Sequence, residues 1–288
     1  MPDPERCIMP SSCNHKAMKN KIFLFLVLAG SVFKQGAAQE LFVYSEPASN
    51  MPAHSVGIRA SNWFMGGQND RSPDYHFIPE LMWGVGKNLM VHAEGFFSNN
   101  HQRLTAEGIG FYGKYRLYTH DEVYKHFRLA AFGRVTTNNS IVSRDEIELN
   151  GFNSGYQLGL IATQLLHKQA FSSSLYFTQA LNNGSGNKFP SLQPDQAVNA
   201  SISAGRLLFP KNYTGYGQIN VNIMAELLGQ HLVGSGKSYL DIAPSVQFIF
   251  NSQLRVDVGY RKELYSNMSR VSAGGLMVRI EYLLFNAL

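Results

Sequence analysis

From position 54 onward the chain repeats one grammar: a segment of about ten residues rich in β-branched, aromatic and small side chains, then a turn or loop rich in Gly, Asn, Ser and Pro. In the last third the segments alternate with period two, the spacing at which successive side chains of an extended strand point to opposite sides. Leu254, Val256, Val258 and Tyr260 fall on one face, and Arg255, Asp257, Gly259 and Arg261 on the other. Ile219, Val221, Ile223, Ala225 and Leu227 oppose Gln218, Asn220, Asn222 and Glu226, while Leu276, Val278, Ile280 and Tyr282 oppose Met277, Arg279 and Glu281. Helical periodicity is nearly absent, so the chain is expected to fold as an all-β protein.

The pattern predicts strands at 54–64, 75–85, 88–97, 105–118, 126–136, 154–166, 170–180, 197–208, 216–228, 239–250, 254–265 and 271–285. About twelve strands is an even number suited to a transmembrane antiparallel up-and-down β-barrel, apolar toward lipid and polar toward the lumen, spanning 39–288. Connections at 86–87, 167–169 and 251–253 are tight; those at 66–74, 98–104, 137–153, 181–196 and 229–238 are longer. With a periplasmic N-terminus the longer stretches are extracellular loops. A soluble β-sandwich also alternates apolar and polar positions. The number of segments, the loop asymmetry and aromatic residues near segment ends, among them Trp63, Phe64, Tyr118, Tyr265 and Phe285, favour the barrel. Pro79 and Pro244 fall inside proposed strands, where each removes a ladder hydrogen bond, so bulges or strand ends are expected there. No linker and no solenoid-length repeat interrupts the pattern, which reads as one domain.

Ahead of it, Lys19 and Lys21 form a basic stretch, 22–30 is a compact apolar run, and Gly36, Ala37 and Ala38 make a small-residue cleavage site. Residues 1–38 are therefore read as an N-terminal extension and cleavable signal peptide with its start at Met18. The expected destination is the bacterial outer membrane, with membrane lipid, periplasmic chaperones and the barrel-assembly machinery as partners. No later apolar run reaches the ~20 residues of a membrane-spanning helix. Ser31 stands where a lipidated cysteine would be required, and Cys7 and Cys13 both precede the cleavage site, so the mature chain holds neither a disulfide nor a thiolate metal site. The 25 Lys and Arg against 20 Asp and Glu are scattered, without the dense basic stripe of a nucleic-acid binder.

The hairpin Phe77-Ile-Pro-Glu-Leu-Met-Trp-Gly-Val-Gly-Lys-Asn-Leu-Met-Val-His-Ala-Glu-Gly95, followed by Gly110-Phe-Tyr-Gly-Lys-Tyr-Arg-Leu117, resembles outer-membrane barrels of the MetA-pathway-of-phenol-degradation and Bacteroidetes outer-membrane-protein type. The resemblance implies a transporter or pore and brings no catalytic residues. One departure is the C-terminus, where Phe285 is followed by Asn286, Ala287 and Leu288 in place of a terminal aromatic residue.

Parity places Glu80 and Glu94 inside on adjacent strands, Lys114, Arg116, Arg128 and Arg134 inside on the next pair, and Glu226, Asp241, Arg255, Asp257, Arg261, Glu263, Arg279 and Glu281 inside on the closing strands. A midplane Arg or Lys facing lipid costs ~2–4 kcal/mol, so such charges must meet water or each other. Two readings follow: an electropositive side at the fourth and fifth strands that guides an anionic solute, or a ladder of internal ion pairs that rigidifies a narrow barrel. No catalytic constellation stands out. Tyr176-Phe-Thr-Gln179 resembles a segment of the outer-membrane phospholipase, but neither His92 nor His231 is followed by the His-x-Ser pairing such an enzyme needs. His76, His92 and Glu94 can approach one another across the first hairpin, and are read as structural. No metal site or cofactor is expected. Asp145, Glu146 and Glu148 read as a solvated acidic loop, and 234–238 as a flexible hairpin. The expected function is passive passage of a small solute, the alternatives being a structural or adhesive barrel acting through its outer loops and, behind it, a lipid-modifying enzyme.

Overall fold

The structure is a computed structural model that describes residues 42–66, 74–99, 103–211 and 217–287; the export segment expected at 1–38 lies outside them. Twelve strands follow one another: β1 Val56–Met65, β2 Asp74–Gly84, β3 Leu89–Ser98, β4 Thr105–Glu122, β5 Lys125–Asn138, β6 Ser154–Leu166, β7 Gln169–Leu181, β8 Gln196–Phe209, β9 Asn220–Leu232, β10 Ser238–Phe250, β11 Leu254–Ser266 and β12 Gly274–Leu284. Each pairs antiparallel with its sequence neighbour, and β1 pairs with β12, so the sheet closes on itself. Closure satisfies the backbone donors and acceptors that an open edge would leave unpaired.

The two faces separate as the alternation predicts. Ile58, Phe111, Leu158, Leu175, Ile202 and Ile280 are exposed on the outside, while Arg255, Asp257, Arg279, Glu281 and Glu226 are buried. Apart from Glu226, the buried face of β6–β9 is neutral and hydroxyl-rich, with contacts Thr163–Ser172, Ser174–Ser201 and Thr178–Asn199–Gln230. Trp63, expected in an outer aromatic belt, instead meets Tyr44 inside the barrel, edge to face at 5.4 Å. Phe285 likewise packs on a buried cluster around Met51.

Boundaries differ most at β9, which begins and ends four residues later than 216–228, because Gly229 is accommodated mid-strand and Gln230 and Leu232 continue the inward face. The connection between β8 and β9, 210–219, is long although it lies at the end with tight turns. Neither proline marks a bulge or a strand end. Pro79 pairs with Ala60 and Pro244 with Ala225 without a register change, and each leaves a two-residue gap in the pairing on its other side, toward β3 and β11 respectively. Gly95, next to Pro79 across that gap, offers no Cβ to the proline ring; one built there would stand 3.5 Å from the ring Cγ. A missing N–H is tolerated where the register holds on both flanks.

The interior is occupied by two segments. Residues 42–55 run through it ahead of β1, burying Phe42 and Val43 against Met224 and Met277, and Met51 against Met82, Met90, Tyr112 and Leu283. The connection 139–153 folds inward from the other end, burying Ile147 and Leu149 with Ala180, Ala197 and Leu232. Each fully buried aliphatic or aromatic side chain contributes about 1.5–3 kcal/mol to holding its segment in place.

Candidate functional site

Glu226, fully buried on β9, seats the N-terminal segment. Its Oε1 accepts from Val43 N at 2.9 Å and Tyr44 N at 2.8 Å, and its Oε2 accepts from Ser45 N at 2.9 Å, Ser45 Oγ at 2.6 Å and Ser203 Oγ at 3.1 Å. Successive backbone N–H groups make an anion-binding concavity, here closed on a side-chain carboxylate. Two residues further, the Lys114 ammonium donates to the carbonyls of Pro47 at 2.6 Å and Ser49 at 2.8 Å, and Ala48 N donates to Thr163 Oγ1. Arg128 donates to Ser49 Oγ at 2.7 Å. Glu46 accepts from Arg59, which also pairs with Glu80 and Glu281. Burial works to raise the Glu46 carboxyl, but Arg59 and then Lys114 overcome it and hold the group well below the ordinary carboxylate range.

The inward loop is clamped from the closing strands. Arg270, between β11 and β12, donates to Glu146 and Asp241 at 2.9 and 2.7 Å and lies 3.5 Å over the ring of Tyr239. Arg261 pairs with the same two carboxylates, and Gln230 holds both N and O of Ile147. Asp145 pairs with Lys237 at 2.8 Å. The acidic stretch 143–148 is thus not solvated: Asp145 and Glu146 are buried, because the loop brings them to cations more than 90 residues away in sequence. The 234–238 hairpin, with Gly234 and Gly236 at positive φ, is tied down by the same Lys237.

The Glu148 carboxylate stands apart, accepting from Asn150 N, with no cation in ion-pair range among the described residues. Burial, and then Glu146, raise its carboxyl above the ordinary value. The protonated form therefore favours the seated loop, a contribution fully present below the ordinary Glu range and lost as pH rises through the folded value. Glu148→Gln is expected to melt at a higher temperature than the parent at pH 8 and at the same temperature at pH 4. Equal melting at both would show that the loop is indifferent to this charge.

Between the two segments lies a cavity of about 110 Å³ lined by Tyr44, Glu46, Arg59, Glu80, Glu94, Arg134, Glu148, Arg261 and Arg279, among others. Toward the loops it continues into a cleft of about 40 Å³, the two sharing Trp63, Ile78, Glu148, Asn150 and Arg261. At the tight-turn end a separate cavity of about 260 Å³ is lined by Phe42, Arg255 and Glu281. No residue lines both it and the central cavity.

Of the residues that parity placed inside, Glu80, Glu94, Arg134, Arg261 and Arg279 meet at the central cavity. Arg255, Asp257 and Glu281 form a neighbouring chain of ion pairs, and Asp241 belongs to the loop clamp. An electropositive side facing open lumen is not found. Lys114 and Arg128 are engaged by the N-terminal segment, and Arg134 pairs with Glu94 at 3.2 Å. Arg116 leaves the interior altogether. β3 ends its pairing at Leu89 opposite Tyr115, so Arg116 extends past it and donates to the Lys87 carbonyl and Asn88 Oδ1.

Glu80 and Glu94 are direct cross-strand partners, a like-charge pairing that Arg59 and Arg134 neutralise. With His92 they form a group whose ligand-type atoms lie within 4.8 Å of one another; the sequence brought His92 and Glu94 together as structural residues, with His76 as the third in place of Glu80. Both carboxylates are already paired with a guanidinium, so a cation would have to displace Arg59 and Arg134. His76 takes no part and packs against Phe152. Glu46, Arg59, Glu146, Glu148 and Arg270 were missed.

A scan against protein families finds no match for this chain, and a search of curated proteins finds none. Among solved structures the chain is similar to Salmonella typhi OmpF in complex with daunomycin, at 8% identity over 80% of this chain and 96% of that one, TM-score 0.36. It is similar to Pseudomonas aeruginosa OprD at 8% identity over 84% and 99%, TM-score 0.37, and to CdiB from Escherichia coli at 9% identity over 82% and 64%, TM-score 0.40.

Proposed function

We propose that this chain is an outer-membrane β-barrel that passes small solutes through its lumen when residues 42–55 move aside. The closed ladder with an apolar exterior and polar interior supports placement in lipid. The export signal at 1–38 and the 77–117 resemblance support the same compartment and a pore or transporter. The observation that carries the reading is the central cavity, walled off from the tight-turn end by a segment held through polar contacts and small apolar clusters, with no covalent tie.

A second reading, a non-transporting barrel acting through its loops, is favoured by the ion pairs that crowd the interior around Arg59. Planar-bilayer recording separates the two. The intact chain is expected to show little steady current, and a chain with residues 42–50 deleted is expected to conduct. A deletion variant that folds, judged by heat-modifiable gel mobility, yet carries no current would sink the pore and leave the structural barrel.

A further inference from the structure

The central cavity holds four guanidinium groups, of which three have carboxylate partners: Arg59 with Glu46, Glu80 and Glu281, Arg134 with Glu94, and Arg261 with Asp241 and Glu146. Arg279 has none within ion-pair distance among the described residues. Asp257, its cross-strand partner, pairs with Arg255 instead. Arg279 is buried, and its contacts are Ser61 Oγ at 3.2 Å and Met277 Sδ at 3.9 Å. An uncompensated buried charge is costly, so such a group calls for an anion or for water.

Two more donors on the same wall are also without partners. Tyr44 Oη and Trp63 Nε1 are buried and unbonded, and both residues line the cavity. Their rings meet edge to face, so the phenol and the indole are held in fixed orientation. The Tyr44 hydroxyl lies beside Gly259, where an added Cβ would come within 3.1 Å of it. A guanidinium offering a planar fork, a hydroxyl and an indole N–H together make a donor set for an oxyanion.

The rest of the cavity narrows the class of anion. Glu46, Glu80, Glu94 and Glu148 line it, which disfavours a doubly charged ligand, and Ile78 and Leu228 supply apolar surface. The volume of about 110 Å³ admits only a few heavy atoms. The cleft at the loop end shares Trp63 and Glu148 with the cavity.

We propose that Arg279, Tyr44 and Trp63 form a binding site for the carboxylate of a small monocarboxylic solute, whose short hydrocarbon part lies toward Ile78 and Leu228. The inference rests on the solute-pore reading and names the substrate class of that pore.

Trp63 reports on the site directly, since the chain has two tryptophans and Trp83→Phe leaves it alone. The full chain, refolded in detergent, is titrated with acetate, propionate, 1-propanol, ethylammonium and inorganic phosphate at constant ionic strength. Saturable changes in Trp63 emission are expected for acetate and propionate and for none of the others. Arg279→Met is expected to weaken propionate at least tenfold. Tyr44→Phe, which changes only the hydroxyl, is expected to weaken it severalfold and serves if the Arg279 variant does not fold. No saturable change with either carboxylate means that water alone meets these donors, and overturns the site. Undiminished binding by both variants, or phosphate or propanol binding as tightly as propionate, overturns it as well. Conductance of the 42–50 deletion with no carboxylate binding by the full chain rejects the site and keeps the pore; binding by the full chain with a silent deletion variant does the reverse.

Discussion

Replacing Glu226 with alanine is expected to turn a nearly silent barrel into a conducting one. The carboxylate accepts from three successive backbone N–H groups and two hydroxyls. Alanine leaves those donors unmet at a cost of about 1–3 kcal/mol for each that stays buried. The segment then has reason to leave, since water satisfies its backbone as well as the carboxylate did. Single-channel recording is expected to show openings absent from the parent, and a protease is expected to cut within 42–50 where the parent resists. Glu226→Gln keeps one acceptor oxygen but turns an amide N–H₂ toward backbone donors, so its open fraction should fall between the two. A folded Glu226→Ala barrel that stays silent and protected would show that the segment is held by its apolar contacts and by Lys114 instead.

The second large effect concerns stability. Arg59 is buried and pairs with Glu46 at 2.8 Å, Glu80 at 3.2 Å and Glu281 at 2.7 Å, thereby joining the N-terminal segment, β2 and β12 through one side chain on β1. Removing one member of such a buried network costs about 3–5 kcal/mol, because the remaining charges lose their compensation. Arg59→Met is expected to lower the melting temperature of the refolded barrel by on the order of 10 °C. Adding Glu80→Gln should restore part of the loss, since Arg59 is the only guanidinium paired with Glu80 among the described residues. A melting temperature unchanged in Arg59→Met would mean that water reaches these carboxylates and that the network adds little.

The barrel itself was legible because its signal repeats. A period of two recurs from strand to strand, most clearly in the last third, and Leu254, Val256, Val258 and Tyr260 face outward as their parity requires. The contents of the barrel were not legible. Residues 42–55 have no period and offered no signal of their own, although the backbone N–H groups of 43–45 are taken up by Glu226 on a strand some 180 residues later. Asp145 and Glu146 look like surface charges until the fold delivers Lys237, Arg261 and Arg270 to them. Arg59 escaped for a different reason. On β1 the outward face carries Ala60 and Asn62 while Trp63 points inward, so the contrast that exposed the charges of β11 and β12 is too weak there to sort them. Cross-strand partners such as Glu80 and Glu94 depend on register, which the turn at 85–88 sets and a face pattern alone does not.

The seam between the first and last strands has a bearing on how the cylinder is assembled. Arg59 stands directly opposite Glu281 where β1 meets β12, and they are joined by the shortest ion pair that Arg59 makes. A closure two residues out of step would keep every side chain on its proper face, so hydrophobic sorting could not detect the mistake. It would nonetheless draw these two charges apart by about 7 Å and break the ion pair that spans the seam. The seam thus carries its own alignment mark.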